Sequence, residues 1–170
     1  DFNEHQFPAN PKILIAGCGT GQHALSVASS FQNSSVLAVD LSLSSLSYAI
    51  RKTKELLVTN IEYMLGDILK LNTLDRKFDI IESAGVLHHI EEPLVGWQVL
   101  VGLLKPQGLM RIALYSEIAR KIIAETREFI SKKGYDNSPK DIRECRSEIM
   151  NITTDSNSRM QTIINSKDFY

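Results

Sequence analysis

Lys12-Ile13-Leu14-Ile15-Ala16-Gly17-Cys18-Gly19-Thr20-Gly21 couples a short apolar run to three glycines at alternate positions. The run Ile13 to Ala16 has the composition of a strand buried on both faces. Ala24 to Phe31 then carries a helical apolar face. A strand that passes through glycines into a helix makes a tight turn with little side-chain bulk, so a ligand can approach the backbone at the helix amino terminus. A plain tight turn would need the same glycines, and the surrounding chain has to distinguish the two.

Downstream, the alternation repeats. Ser35 to Val39 reads as a second strand ending at Asp40, and Ser42 as the N-cap of a helix with apolar positions Leu43, Leu46, Ile50 and Leu57. Arg51, Lys52 and Lys54 are expected on its solvent side. Ile61 to Leu65 and Phe78 to Ser83 read as strands three and four. Pro93 starts a helix through Trp97, Leu100, Leu103 and Leu104, and the turn Pro106-Gln107-Gly108 leads into a fifth strand, Leu109 to Tyr115. Right-handed crossovers join such units into an α/β fold with an open, doubly wound, mostly parallel sheet. From Glu117 the alternation stops. Ile118, Ile122, Phe129 and Ile130 predict an amphipathic helix, and the polar stretch Asn151 to Ser158 predicts a loop. The expected organisation is a core at residues 1–116 and a helical C-terminal extension at 117–170.

Composition narrows the function. Of 170 residues 43% are hydrophobic, enough for one substantial core, and the net charge is −1 with both signs interspersed. Bulk electrostatics therefore argue against nucleic acid or an anionic membrane as partner. Cys18 and Cys145 lie far apart in unlike contexts, which predicts free thiols and a cytoplasmic setting. No apolar run approaches the roughly 20 residues that span a bilayer. The polar start, Asp1 to Asn10, is unlike a signal peptide, and the missing initiator methionine suggests a piece of a longer chain.

The glycine spacing excludes two ligand classes. A dinucleotide fingerprint needs its third glycine at position 22, where Gln22 stands, and a phosphate loop needs Gly-Lys-Ser or Gly-Lys-Thr. A nucleoside ligand without that phosphate cradle fits better. Asp40, about 20 residues past the loop, is placed to accept both ribose hydroxyls, or simply to cap the next helix. Asp67 in Gly66-Asp67-Ile68 can accept from an adenine amino group while Ile68 and Leu41 sandwich the ring, or can be a solvated turn aspartate.

Taken in order, Ile13 to Ala28, Val36 to Leu41, Gly66 to Leu69, Phe78 to His89 and Leu103 to Tyr115 resemble the successive motifs of class I methyltransferases, over roughly two-thirds of the chain. Val86-Leu87-His88-His89-Ile90 and Leu104-Lys105-Pro106-Gln107-Gly108 resemble the small-molecule-type members. The stretch also resembles bacterial methyltransferase domains found alongside tetratricopeptide repeats, which implies a covalently linked repeat domain in a longer protein. The resemblance implies a Rossmann-like fold, S-adenosylmethionine as cofactor, and binding by Gly17, Cys18, Gly19, Thr20, Gly21, Asp40, Leu41, Asp67, Ile68 and Ser83. Two features depart from the family. Ile15 stands where many relatives carry an acid, which leaves the cofactor's amino group to backbone carbonyls such as those of Gly17 and Ser83. Nothing after Tyr115 resembles the reversed strand pair that usually completes the sheet.

Methyl transfer to an unidentified acceptor, small molecule or protein, is then the expected reaction, with His88 and His89 as the candidate proton acceptors. Packing under the cofactor and capping the next helix are their structural alternatives. No ligand-spaced Cys, Asp or Glu set accompanies them, and no metal is expected. Glu82 reads equally as part of the site mouth or as a strand-end glutamate, Tyr115 as a pocket or a buried aromatic, and Cys18 as a packed side chain. Glu82-Ser83-Ala84-Gly85 lacks the Asn-Pro-Pro-aromatic signature of nucleic-acid amino methyltransferases. Arg120, Lys121, Arg127, Lys132 and Lys133 are interleaved with Glu117, Glu125 and Glu128, as on a solvated helix face. The competing reading is a non-catalytic cofactor-binding or interaction module of a larger protein.

Overall fold

The computed structural model describes residues 8–153 and 161–164, and the chain divides into two compact units at Leu114/Tyr115. The first unit contains β1 (Lys12–Ala16), α1 (Gln22–Ser30), β2 (Ser35–Asp40), α2 (Leu43–Glu55), β3 (Ile61–Leu65), β4 (Phe78–Ala84), α3 (Pro93–Leu103) and β5 (Leu104–Ala113). Short 3-10 turns at Ile68–Thr73 and Leu87–His89 lie on either side of β4 in the chain. The strands form one sheet in the order β3-β2-β1-β4-β5, and every neighbouring pair is parallel. The expected doubly wound α/β architecture is present.

The central position of β1 follows from its sequence. Ile13, Leu14, Ile15 and Ala16 are all at most 3% exposed, as a strand with neighbours at both edges and cover on both faces requires. Successive side chains point to opposite faces. Leu14 and Ala16 pack with Leu37, Val39, Ile81 and Leu100, while Ile13 and Ile15 pack with Ala24, Val27, Val36 and Leu46.

The helices differ from expectation in which residues they bury. Ser42 does cap α2, its Oγ accepting from the Ser45 amide at 3.2 Å. The buried face, however, is Leu46, Ala49 and Thr53, whereas Leu43 and Ile50 are exposed and Leu57 lies past the helix at φ 55°. Small and hydroxyl residues do the packing here: the Thr53 hydroxyl reaches both the Ala49 carbonyl and the Tyr63 hydroxyl at 2.8 Å. On α3 the buried line is Gly96, Leu100 and Leu103, with Trp97 at 36% exposure. Gly96 permits close approach, since a Cβ there would stand 3.0 Å from Ile90 and 3.2 Å from Leu87.

β5 begins at Leu104, directly after α3, and ends at Ala113 rather than Tyr115. The anticipated Pro106-Gln107-Gly108 turn survives as an irregularity inside the strand. Pairing jumps from Phe78↔Leu104 to Ile80↔Leu109, and Gln107 takes φ 64°. A bulge accommodates the proline, which has no amide to give the ladder.

The second unit contains α4 (Glu117–Lys133), α5 (Pro139–Thr153) and α6 (Gln161–Ile164). On α4, Ile122, Phe129 and Ile130 are half-buried and Thr126 is buried, but Ile118 is 90% exposed. Helix α5 buries Cys145 and Ile149, and the Tyr135 hydroxyl donates to Glu148 Oε2 at 2.6 Å. Asn151 to Thr153 continue α5 instead of forming a loop; the hydrophobic stripe Ile142, Cys145, Ile149, Ile152 keeps helical spacing through them. The remainder of that predicted loop, 154–158, lies outside the described residues. Among the described residues no helix is long and apolar enough to cross a membrane.

Candidate functional site

The order β3-β2-β1-β4-β5 reverses direction at β1, because the chain leaves β1 toward β2 and later returns on the other side as β4. Loops leaving the carboxyl ends of β1 and β4 diverge at such a switch point and open a crevice. Gly17 to Gly21 occupy it. The Gly17 and Cys18 amides both donate to the Val39 carbonyl, at 2.8 and 2.9 Å, which pins the loop to the end of β2.

The glycines serve different needs. Gly17 and Gly21 both have φ +81°, and a Cβ on them would stand 2.2 Å from Val86 Cγ2 and 2.6 Å from Ala49 Cβ respectively. Close packing accounts for these two. Gly19 (φ +52°) and Gly85 (φ +74°) have no atom within 4 Å of an added Cβ. Packing does not require bare backbone at these two; their positive φ favours glycine, and each borders a cleft.

Asp40 bridges the loop to α2. Its Oδ2 accepts from the Gly19 amide at 2.7 Å and its Oδ1 from the Ser42 amide at 2.9 Å. An ionised carboxylate has about four acceptor directions, so both oxygens keep capacity for further donors. Asp67 Oδ1 accepts from the Leu69 amide at 2.9 Å and caps the 3-10 turn that follows. Asp40 thus ties the glycine loop to the start of α2 without capping that helix, whose N-cap is Ser42, whereas Asp67 caps a turn, close to its reading as a turn aspartate; both also line the first cleft.

Two clefts meet at Gly17. The first, about 210 Å³, has Asp40, Leu41, Asp67, Ile68, Gly85 and His89 in its wall. Leu41 is 72% exposed beside it, while Ile68 is 6% exposed and anchored in the core. The second, about 310 Å³, includes Ile15, Cys18, Gly19, Thr20, His23 and Glu82. Gly21, Ser83 and His88 line neither of these clefts. Ser83 is 1% exposed and its Oγ has no partner among the described residues; Glu82 and Ala84 on either side of it face the second cleft.

His88 and His89 lie in the turn Leu87–His89, with their Nε2 atoms 3.1 Å apart and ring centroids 4.2 Å apart. One ring must donate and the other accept at that contact. Among the described residues no three of His, Cys, Asp and Glu gather in a way that could hold a metal ion. Tyr115 is 51% exposed and its ring carries the Arg120 guanidinium at 3.9 Å, within the second unit.

Burial, reinforced by the Asp40 charge, pushes the Cys18 thiol up to about 12. A thiol that stays protonated is a poor nucleophile. Iodoacetamide at pH 8 is therefore expected to leave Cys18 unmodified in the native chain and to modify it after denaturation, read by peptide mass spectrometry. Rapid native labelling would contradict the packed role.

The sequence reading left Glu82 undecided and did not mark His23 or Arg111. Glu82 Oε2 meets His23 Nε2 at 2.9 Å and Arg111 Nη1 at 2.8 Å. These partners are 59 and 29 residues from it in the chain; the β4–β5 register sets Arg111 opposite Glu82 and His23 comes from the first turn of α1, so no local pattern could have found the cluster.

Comparison with known proteins gives the family and supports the fold. Residues 13–108 match the family described as "Methyltransferase domain". The chain is 34% identical over 122 residues to an uncharacterized protein of Synechococcus sp., covering 71% of this chain and 29% of that one. It is 30% identical over 125 residues to phosphoethanolamine N-methyltransferase 1 of Arabidopsis thaliana, covering 74% and 25%. PKMT2 from Rickettsia typhi, solved in complex with AdoHcy, superposes with a TM-score of 0.80 at 22% identity over 94% of this chain and 33% of that one, a likeness of fold. The chain spans less than a third of the length of these relatives.

Proposed function

The chain belongs to the methyltransferase-domain family, and we propose that residues 1–116 are the S-adenosylmethionine-binding core of a larger methyltransferase, with 117–170 as its helical extension. The observation that carries this reading is the pair of clefts meeting at Gly17, with open space at Gly19 and Gly85 beside the Asp40 carboxylate. Bare backbone that packing does not require fits a ligand held against main chain.

In this reading Asp40 accepts the ribose hydroxyls, Asp67 accepts from the adenine amino group, and Leu41 and Ile68 flank the ring. Gly17, Cys18, Gly19, Thr20 and Gly21 form the loop that holds the remainder, with Ser83 beneath it. When bound, S-adenosylmethionine supplies a methyl group on a sulfonium, already activated for in-line displacement. The protein's part is orientation and, for an acceptor that must lose a proton, a base. His89, in the wall of the first cleft and paired to His88 through Nε2, is that base, with His88 sharing the proton.

The acceptor is a small molecule or a protein rather than a nucleic acid. The likeness to a phosphoethanolamine N-methyltransferase supports a small amine. The resemblance to repeat-associated methyltransferase domains supports a covalently linked tetratricopeptide-repeat domain in the longer protein. Two free cysteines, Cys18 and Cys145, support a cytoplasmic location.

The test is release of AdoHcy when the longer protein is given S-adenosylmethionine with a panel of small amines, alcohols and peptides. Turnover with at least one acceptor, lowered by His89→Ala, is expected. Cofactor binding without turnover across the panel would favour the non-catalytic module.

A further inference from the structure

The second cleft contains a carboxylate that the reading above does not use. Glu82 lies in the middle of a row across three strands, opposite Ile15 on β1 and Arg111 on β5. Its side chain is 15% exposed and lines the cleft together with Gly17, Gly19 and His23. Among the described residues no other acidic side chain is in that wall.

The hydrogen bonds to Glu82 are one-sided. His23 Nε2 and Arg111 Nη1 both contact Oε2, at 2.9 and 2.8 Å, and neither contacts Oε1. Burial by itself would raise the carboxyl's pKa, but the hydrogen bonds from His23 and Arg111 outweigh it and hold the group below its usual range. The result is an oriented anion with one oxygen turned away from its holders. The holders are themselves 45% and 63% exposed. If the pair were only an ion pair at the sheet surface, its net value would be small, on the order of 0 to 1 kcal/mol, and would leave unexplained why the carboxylate is drawn into the wall of a cleft.

Resting on the cofactor reading, the geometry points to Glu82 as the acceptor of the cofactor's α-ammonium group, with His23 and Arg111 as its positioning residues. The nucleoside occupies the first cleft in that reading, and the amino-acid end must leave it past Gly17, the residue both clefts share. That end carries a cation, and among the described residues Glu82 is the only acidic side chain in the wall it meets. The carboxylate thus supplies from β4 the acid absent at Ile15, where backbone carbonyls alone were expected.

The experiment compares three ligands on the full chain by calorimetry: AdoHcy, its analogue with hydrogen in place of the α-amino group, and 5′-methylthioadenosine, which lacks the amino-acid end. The wild type is expected to prefer AdoHcy over the deaminated analogue by about tenfold or more, the value of a charge-assisted hydrogen bond in a partly buried site. Glu82→Gln should abolish that preference and leave 5′-methylthioadenosine binding unchanged, which also shows the variant to be folded. Arg111→Ala should reduce the preference without abolishing it. A wild type that binds AdoHcy and the deaminated analogue equally overturns the assignment without needing any variant, as does a folded Glu82→Gln that keeps the preference. A wild type that binds neither AdoHcy nor 5′-methylthioadenosine overturns the cofactor reading itself.

Discussion

Gly19→Ala is expected to leave the first unit folded while weakening AdoHcy binding by about tenfold or more, the loss of one strong ligand contact. Gly17→Ala is expected to destabilise the fold itself. Both glycines have positive φ, +52° and +81°, and a side chain in the left-handed region costs roughly 1–2 kcal/mol. They differ in what the new methyl meets. At Gly19 there is no atom within 4 Å, whereas at Gly17 Val86 Cγ2 would be 2.2 Å away and Val86 Cβ 2.9 Å away. Those distances require backbone movement, because even the Val86 Cβ is too close. Overpacking of this kind adds roughly 1–3 kcal/mol or more, a large share of a stability of about 5–15 kcal/mol. Urea denaturation and calorimetry separate the cases. Equal loss of stability in the two variants, or a Gly19→Ala variant that binds normally, would contradict the view that Gly19, unlike Gly17, is bare for a ligand.

Asp40→Ala is expected to reduce both stability and affinity. The carboxylate accepts from the Gly19 amide at 2.7 Å and the Ser42 amide at 2.9 Å, and charge-assisted bonds of this type contribute roughly 1.5–3 kcal/mol each. Solvent access lowers the cost of removing them, since water can serve the freed amides, so a loss of about 2–3 kcal/mol in stability is expected. The folded fraction should bind AdoHcy about 100-fold more weakly if the same oxygens also hold two ribose hydroxyls. Asp40→Asn is no neutral control, because its amide nitrogen would face a backbone donor on one side. Unchanged affinity in a destabilised Asp40→Ala would leave Asp40 only as the tie between the glycine loop and the start of α2.

Features encoded locally were legible in the sequence. The strand Lys12–Ala16, the glycine turn and the Ser42 cap each depend on residues within a few positions of one another, and the structure has all three. Most of the candidate site was legible for the same reason. Gly17, Asp40, Leu41, Asp67, Ile68 and His89 line the first cleft, and Cys18, Gly19 and Thr20 the second, because each lies at, or a few residues beyond, the carboxyl end of a strand that faces the crevice.

What stayed hidden depended on neighbours from elsewhere in the chain. Hydrophobicity favoured Leu43, Ile50 and Trp97 as buried positions, but α2 and α3 lie so close to their neighbours that Ala49 and Gly96 occupy the contacts instead. Close approach selects small residues that carry little hydrophobic signal. The start of β5 was hidden by a bulge that absorbs Pro106-Gln107-Gly108 into the strand. The Glu82 cluster needed the pairing of β4 with β5 and a histidine from the first turn of α1, and nothing in the local sequence states which residue meets which.

The most direct measurement is calorimetric titration of the 170-residue chain with AdoHcy, with NADH as the comparison ligand. A saturable, one-to-one response to AdoHcy and none to NADH is the predicted result. A folded chain that gives no heat with AdoHcy, or that binds NADH equally well, would contradict the assignment of the Gly17 crevice as an S-adenosylmethionine site.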